Sequence, residues 1–313
     1  MSMNWNGVLP AITTPFNADG DVDHAFLARH ARWMVDAGCT GIVALGSLGE
    51  TATLSMAEKL DVLRTLVQAL GGRVPLVAGI AALSTQDACA LARAAADAGC
   101  AGLMVLPPYV YSTDWREMRA HVSAVIAATT LPCMLYNNPI AYRTDFKPEQ
   151  VAELAQAHPN MVAIKESSAD VRRIAAIRHR LGERLHILVG VDDLIVEGIA
   201  AGATGWVAGL VNALPRRSVT LFDLAMRANS PDVSPAERTQ ARLETDALYR
   251  WFLPLLALDT VPKFVQLIKL VQQSVGQGHE RVRAPRLVLE GAEREDALAI
   301  IRHALTTLPA DEA

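Results

Sequence analysis

A short pattern of helix, glycine and strand occurs three times along this chain, and it constrains the fold more than any other feature. Segment 36–45 reads Asp-Ala-Gly-Cys-Thr-Gly-Ile-Val-Ala-Leu, and segment 97–106 repeats it as Asp-Ala-Gly-Cys-Ala-Gly-Leu-Met-Val-Leu. A third copy, Ala-Gly-Ala-Thr-Gly-Trp-Val-Ala-Gly, occupies 201–209. In each copy a glycine stands where a left-handed residue ends a helix, and a short apolar strand follows. Such units predict βα repeats and a parallel sheet.

The number of these units predicts that the sheet closes into a barrel. We expect strands at 7–13, 41–45, 75–78, 102–106, 133–136, 161–164, 186–189 and 205–207. We expect helices at 23–37, 55–70, 84–98, 114–128, 148–157, 170–181, 192–201 and 212–228. Eight pairs in roughly 225 residues is the size of a (β/α)8 TIM barrel. The alternative, an open doubly wound sheet, usually carries a glycine fingerprint after its first strand, which the Thr-Thr-Pro-Phe of 13–16 lacks.

The alternation of predicted strands and helices ends at residue 229. Beyond it we expect only helices, at 235–257, 262–275 and 291–307. The predicted organisation is therefore a barrel over 1–229 and a C-terminal helical extension over 230–313. Apolar runs in the extension, such as Trp-Phe-Leu-Pro-Leu-Leu at 251–256, predict that it packs on the barrel or on a neighbouring subunit.

Composition excludes several classes of partner. The chain has 313 residues, 51% of them hydrophobic, with a formal net charge of −4 and no basic stripe, so nucleic acids and membranes are poor candidates. Its four cysteines show neither a Cys-x-x-Cys pair nor zinc spacing, which is typical of the reducing cytoplasm. The first residues lack a basic and apolar signal sequence, so we predict a cytoplasmic protein.

A lysine at the end of a predicted strand is the first candidate for chemistry. The run Met-Val-Ala-Ile at 161–164 leads directly into Lys165. Burial of the lysine stem among apolar neighbours disfavours the charged ammonium form, and a free amine attacks ketones to give a Schiff base. The competing interpretation is that Lys165 and Glu166 are a solvated charge pair at a strand end.

Other polar residues follow neighbouring strands, and the ends of barrel strands meet on one face. The turn Gly-Ser-Leu-Gly-Glu-Thr at 46–51 offers backbone amides that can hold a carboxylate. Tyr109 and Tyr111 follow the fourth strand, and Tyr136 ends the fifth. An amine, phenols and an anion-binding turn are what imine chemistry on a 2-oxo acid requires.

These residues resemble those of the dihydrodipicolinate synthase / N-acetylneuraminate lyase family over essentially the whole chain. The resemblance lies in the Gly-x-x-Gly-Glu turn at 46–50, the Tyr-Asn-x-Pro at 136–139 and the Ile-Lys-Glu at 164–166, in that order. It implies a pyruvate-like 2-oxo acid held on Lys165 as an imine, with Tyr136 as the proton shuttle and Ser47 relaying to Tyr136.

The resemblance also implies partners and a wider pocket. Tyr109 matches a tyrosine that family members often lend to a neighbouring subunit, within a homotetramer built as a dimer of dimers. Neither a metal nor an organic cofactor is implied. The predicted substrate-binding residues are Ser47, Leu48, Gly49, Asn138, Tyr142 and Val207.

Two departures from the family pattern bear on the substrate. Leu48 stands where many members have a second hydroxyl that grips the pyruvate carboxylate. Ala141 stands where dihydrodipicolinate synthases have an arginine for the second substrate, and Arg143 could replace it only in a rearranged loop. We therefore favour a deaminase or dehydratase such as pyrroline-4-hydroxy-2-carboxylate deaminase. A 2-keto-3-deoxy sugar acid aldolase, dihydrodipicolinate synthase and a non-catalytic binding relative are the alternatives.

Several other polar residues near the predicted strand ends are interpreted as structural. Asn137 and Asn138 are typical turn formers. We expect Glu50 to be a hydrogen-bond acceptor at a helix N-terminus, and Glu166 to face away from Lys165 by strand alternation. Asp192 and Asp193 are predicted to cap the next helix.

Overall fold

A computed structural model describes residues 3–108 and 114–307 of the chain. Its eight strands form one sheet in the order β1-β8-β7-β6-β5-β4-β3-β2. The strands are β1 Gly7–Pro10, β2 Ile42–Ala44, β3 Leu76–Ile80, β4 Gly102–Val105, β5 Cys133–Asn137, β6 Met161–Glu166, β7 His186–Val189 and β8 Gly205–Ala208. The paired strands run parallel, and a bridge between Ala11 and Val43 joins β1 to β2. The predicted (β/α)8 barrel is confirmed.

Helices surround this sheet and continue beyond it. They are α1 His24–Asp36, α2 Met56–Leu70, α3 Thr85–Asp97, α4 Trp115–Ala127, α5 Pro139–Tyr142, α6 Pro148–Ala157, α7 Arg172–Leu181, α8 Ile195–Ala200, α9 Pro215–Asn229, α10 Pro235–Leu256, α11 Phe264–Ser274 and α12 Gly291–Thr306. The short helix α5 lies where the sequence predicted only a turn. Within the described ranges, no helix combines the length and the apolar character that a membrane crossing requires.

Local signals in the sequence explain where the helices begin and end. Ser55 and Glu58 form a capping box at the start of α2, as Ser234 and Glu237 do at α10. The glycines of the repeated pattern adopt positive φ after their helices, at 104° for Gly38 and 106° for Gly202. Only glycine adopts this conformation freely, so the repeat ends each helix and returns the chain to the sheet.

The C-terminal helices pack against the barrel, which is one of the two arrangements predicted; the other was packing on a neighbouring subunit. Helix α10 lies along α9, and α11 buries every residue from Val265 to Gln272. Phe252 and Ile268 are fully buried in the core that they share with the barrel residues. The division into a barrel over 1–229 and an extension over 230–313 as separate units stays a prediction.

Candidate active site

Lys165 and Tyr136 lie side by side at the C-terminal ends of β6 and β5. The two residues are partners in the register of these strands, so their side chains leave the sheet on the same face. The Lys165 amine lies 4.4 Å from the centroid of the Tyr136 ring, and both side chains are buried. A cation over the face of a phenol is electrostatically favourable. The arrangement therefore positions an amine and a phenol together in a region with little water.

A glycine at the end of β7 provides the space that the lysine stem occupies. A methyl group placed on Gly190 would lie 2.4 Å from Lys165 Cε and 2.0 Å from Ser167 Oγ. Ser167 follows Lys165 by two residues and so points to the same side of the strand. Its buried hydroxyl has no hydrogen-bond partner among the described residues. Sequence reasoning missed Ser167, although strand alternation alone could have identified it.

The phenolic oxygen of Tyr136 accepts a hydrogen bond from Asn138. Asn138 Nδ2 donates to Tyr136 Oη at 3.0 Å, which leaves the phenolic proton available to a second partner. Asn138 Oδ1 accepts from the backbone N–H of Ala141 at 3.0 Å, and Pro139 occupies the first position of α5. Asn138 is therefore the turn former that was predicted, and it also orients the phenol.

Ser47 hydrogen-bonds to Tyr142, which differs from the predicted relay to Tyr136. The Ser47 and Tyr142 hydroxyls share a hydrogen bond, and the Tyr142 ring meets that of Tyr136 edge-on, with centroids 5.7 Å apart. The reason is α5, whose single turn carries Tyr142 back over the strand ends. The relay from Ser47 to Tyr136 stays a prediction, and Tyr142, which the sequence analysis placed only in the pocket, contacts both residues.

The turn after β2 has an unusual backbone. Leu45 and Glu50, on either side of residues 46–49, adopt left-handed conformations with φ of 59° and 53°. Such conformations in non-glycine residues persist only when surrounding contacts enforce them. A methyl group on Gly79 would lie 2.5 Å from the carbonyl oxygen of Leu45, so this glycine permits the bend. Leu48 is buried, and a methyl group on Gly49 would approach the carbonyl of Ile12 to 3.0 Å.

The C-terminal extension anchors the same turn through Glu50. Lys269 Nζ lies 2.5 Å from Glu50 Oε1, and the backbone N–H of Arg283 donates to Glu50 Oε2 at 3.0 Å. Lys269 also donates to the carbonyl of Thr14 at 2.8 Å and lies over the ring of Phe16. Burial lowers the pKa of Lys269, and the carboxylate of Glu50 opposes that effect. Glu50 is an acceptor, as predicted, but for the extension rather than for a helix N-terminus.

Glu166 faces away from Lys165, as strand alternation predicts. Its carboxylate accepts from Asn137 Nδ2 at 3.0 Å and from the backbone N–H of Ser168 at 2.7 Å. Asn137 also accepts from the backbone N–H of Phe146 at 3.0 Å, which fastens the loop after α5. Burial raises the pKa of Glu166. These two residues support the site from outside the barrel.

The prediction that Asp192 caps the next helix is wrong. Its carboxylate turns toward the end of β8, where it accepts from the Trp206 indole at 2.9 Å and from the backbone N–H groups of Gly209 and Leu210 at 3.0 and 2.8 Å. Burial raises the pKa of Asp192 to about 6. Asp193 accepts from the Thr260 hydroxyl at 3.4 Å. Through these backbone N–H groups just after β8, Asp192 joins the ends of β7 and β8.

The remaining predicted residues occupy distinct places. Val207 is buried on β8 opposite Leu9 of β1. Tyr109, which was predicted to reach the site of a neighbouring subunit, lies outside the described residues, as does Tyr111. Arg143 ends α5 with φ of 60° and a solvent-exposed side chain, and Ala141 is exposed as well. The loop after β5 therefore presents Tyr142, and not an arginine, to the site.

No metal-binding cluster accompanies these groups in the described parts of the chain, where no three His, Cys, Asp or Glu side chains are placed to hold an ion. Besides Ser167, the residue that sequence reasoning missed is Lys269, which was assigned only to a helical pattern. No local signal identifies Lys269, because its partner Glu50 is 219 positions away in the sequence.

Comparisons with known proteins agree with this geometry. Residues 4–304 match the model of the dihydrodipicolinate synthetase family. A 4-hydroxy-tetrahydrodipicolinate synthase from Agrobacterium fabrum is 31% identical over 96% of this chain and 98% of its own length. One from Sorangium cellulosum is 39% identical over 68% of this chain and 71% of that protein.

Solved structures agree with the sequence relatives. A chloride-inhibited dihydrodipicolinate synthase from Acinetobacter baumannii, complexed with pyruvate, superposes with a TM-score of 0.87 at 27% identity, covering 96% of this chain and 99% of that one. The paired lysine and tyrosine thus lie in a barrel that matches this family from end to end. The chain belongs to the dihydrodipicolinate synthetase family and is a class I lyase, an enzyme that works through a Schiff base on a lysine.

Proposed function

We propose that this enzyme binds a 2-oxo acid, or its cyclic imine, on Lys165 and removes water or ammonia from it. The observation that carries the proposal is the position of the Lys165 amine over the Tyr136 ring, 4.4 Å from its centroid. An amine enclosed beside a phenol with a free proton can form an imine and move the protons that imine formation requires.

The proposal assigns each step to one group. Lys165 attacks the oxo carbon, and Tyr136 protonates the oxygen of the carbinolamine, which leaves as water to give the imine. Tyr136 then accepts a proton from the adjacent carbon, which gives an enamine. The turn at 47–49 holds the substrate carboxylate through backbone N–H groups and the Ser47 hydroxyl, which Tyr142 orients. Leu48 offers no hydroxyl, so the grip on the carboxylate depends on Ser47.

The loop after β5 favours elimination over condensation. A synthase of dihydrodipicolinate type needs a cation for the carboxylate of its aldehyde substrate. Here Ala141 occupies that position and Arg143 is directed to solvent. We infer that the substrate has a hydroxyl group on carbon 4, as does the cyclic imine pyrroline-4-hydroxy-2-carboxylate or a 2-keto-3-deoxy sugar acid. The latter would be dehydrated or, in the aldolase alternative, cleaved to pyruvate.

A second candidate function is supported by the relatives' names. The proteins from Agrobacterium fabrum and Sorangium cellulosum are both called 4-hydroxy-tetrahydrodipicolinate synthases. For this chain, that reaction would require another cation in place of the arginine. We also propose that the enzyme works in the cytoplasm as a homotetramer, with Tyr109 reaching a neighbouring site.

Reductive trapping tests the proposal. The protein is incubated with pyruvate and borohydride, and the modified peptide is identified by mass spectrometry. We expect a reduced pyruvyl adduct on Lys165, no adduct in Lys165→Ala, and an unchanged adduct in the control Lys263→Ala, whose lysine forms a surface pair with Glu293. The absence of an adduct in the folded wild-type protein would contradict the proposal and favour a non-catalytic binding relative.

Product assays then separate the branches. Release of ammonia from pyrroline-4-hydroxy-2-carboxylate supports the deaminase. Release of pyruvate from a 2-keto-3-deoxy sugar acid supports the aldolase. Consumption of pyruvate with aspartate semialdehyde supports the synthase.

A further inference from the structure

Asp259 brings a carboxyl group from the C-terminal extension to the ends of the barrel strands. It ends the 3-10 turn Ala257–Asp259 between α10 and α11. A methyl group placed on Gly209, the residue after β8, would lie 2.0 Å from Asp259 Oδ1 and 2.4 Å from its Cγ. The next residue, Thr260, donates its hydroxyl to Asp193 after β7. Asp259 therefore sits over β7 and β8, beside the strand that carries Lys165.

The carboxyl group of Asp259 has no structural task to explain its position. Its Oδ1 is enclosed and has no hydrogen-bond partner among the described residues, whereas a buried polar atom normally has one. As whole residues, Asp259, Gly190 and Val191 are all partly buried. Asp259 thus places a carboxyl group at the ends of β7 and β8, beside Gly209, and no described residue hydrogen-bonds to its enclosed oxygen.

The surrounding charges determine the form of this carboxyl group. Burial is the main cause that raises the pKa of Asp259 well above its ordinary value, and the carboxylate of Asp192 raises it further. Lys165 is near enough to oppose this effect, while Asp193 adds to it. Asp192 accepts from backbone N–H groups and the Trp206 indole, and these donors favour a negative charge on Asp192 over one on Asp259. These charges favour the protonated form of Asp259.

We propose that Asp259 is a catalytic residue that hydrogen-bonds to the hydroxyl group on carbon 4 of the substrate held at Lys165 and donates a proton to that hydroxyl as it leaves. This inference rests on the proposed function, and it names the group that the C-terminal extension contributes to the reaction. It also assigns the substrate class, because a 2-oxo acid without a hydroxyl group at carbon 4 would leave Asp259 unpaired.

The proposed step is balanced. The electron pair of the enamine moves into a double bond between carbons 3 and 4, and the bond from carbon 4 to oxygen breaks. The proton of Asp259 passes to that oxygen, which departs as water. The products are a conjugated iminium on Lys165 and the Asp259 carboxylate, which recovers its proton from solvent.

The test compares two acids that differ only in this hydroxyl group, 4-hydroxy-2-oxopentanoate and 2-oxopentanoate. Each acid competes with pyruvate for borohydride trapping on Lys165, and the concentration that halves pyruvate trapping is measured. We expect the hydroxylated acid to act at a concentration lower by about tenfold, the effect of one good hydrogen bond. This ratio should fall toward one in Asp259→Ala and persist in Asp223→Ala, a control on the outer helix α9.

A second variant separates binding from proton donation. Asp259→Asn keeps a donor for the hydroxyl but has no acidic proton. It should retain most of the preference for the hydroxylated acid while forming the conjugated product, followed by its ultraviolet absorbance, at least tenfold more slowly than the wild type. Both variants should unfold at or above the wild-type temperature, since the free carboxyl group contributes no hydrogen bond to stability.

The possible failures are distinguishable. If pyruvate is not trapped on Lys165 in the wild type, the proposed function fails and the role of Asp259 fails with it. If trapping is normal but the wild type shows no preference for the hydroxylated acid, or if Asp259→Ala keeps that preference, only the role of Asp259 is overturned.

Discussion

The amine of Lys165 lies 4.4 Å from the ring centroid of Tyr136, because the two residues are register partners on neighbouring parallel strands. This relationship separates two tasks, bond formation by the amine and proton movement by the phenol. Tyr136→Phe keeps the ring beside the amine and removes only the phenolic proton. We expect the exchange of pyruvate methyl protons in D2O, followed by NMR, to slow by about 10²–10⁴-fold. Slow formation of the pyruvate adduct should persist, and an unchanged exchange rate would rule out Tyr136 as the shuttle.

The hydrogen bond between Ser47 and Tyr142 should tighten the hold on the substrate carboxylate. In Tyr142→Phe the edge-on ring contact with Tyr136 can remain while the hydroxyl is lost. We expect the pyruvate concentration for half-maximal trapping to rise by about two- to tenfold, the equivalent of one neutral hydrogen bond. Ser47→Ala should produce a rise of its own, and the double variant should cost less than the sum, since both changes break the same bond. Additive effects would show that the two hydroxyls act separately.

The buried pair of Lys269 and Glu50 should be essential for stability. Lys269→Met leaves the Glu50 carboxylate buried without its counter-charge, so we expect the free energy of unfolding to fall by about 3–5 kcal/mol in urea titrations. The control is Lys263→Met, which breaks a half-exposed pair with Glu293 and should change that free energy by about 0–1 kcal/mol. Equal losses in the two variants would contradict the anchoring role.

The buried imidazole of His30 should make the fold sensitive to acid. Burial lowers the pKa of His30 from 6.5 to about 4, and its neighbours, Asn212 and Gln272, are uncharged. Since the unfolded chain binds this proton more readily than the folded chain, stability is present above pH 6.5 and is lost as the pH falls toward 4. The loss amounts to about 3 kcal/mol. His30→Phe should show a smaller decline in the free energy of unfolding between these pH values, and parallel curves would contradict this assignment.

The barrel and its central pair of residues could be predicted from the sequence, whereas the contacts between distant segments could not. Apolar runs and glycine ends are local signals, and they located all eight strands within a few residues. Strand alternation then separated Lys165 from Glu166 correctly. Strand alternation determines on which face of the sheet a side chain lies. This was sufficient to predict a site formed by residues at the strand ends.

Contacts with residues outside the repeated units could not be predicted from the pattern of apolar residues and glycines. The turn of α5 that carries Tyr142 to Ser47 spans only Pro139–Tyr142, too short to show periodicity. Asp192 was assigned to the nearest helix, since the sequence gives no sign that the backbone N–H of Gly209, 17 positions away, donates to it. Glu50 was recognised as an acceptor, but nothing local identified Lys269 as its donor.

The anchoring of the Ser47 turn by Lys269 has a consequence for how the protein is made. Synthesis proceeds from the N-terminus, so all eight strands leave the ribosome before α11 does. Until then Glu50 lacks its counter-charge, and the bend that presents Ser47 lacks its support. The strands of the nascent barrel are therefore complete before the Ser47 turn can be anchored for substrate binding. A stop codon ahead of Lys269 would yield a chain that has Lys165 and Tyr136 but lacks the helix that holds the Ser47 turn in place.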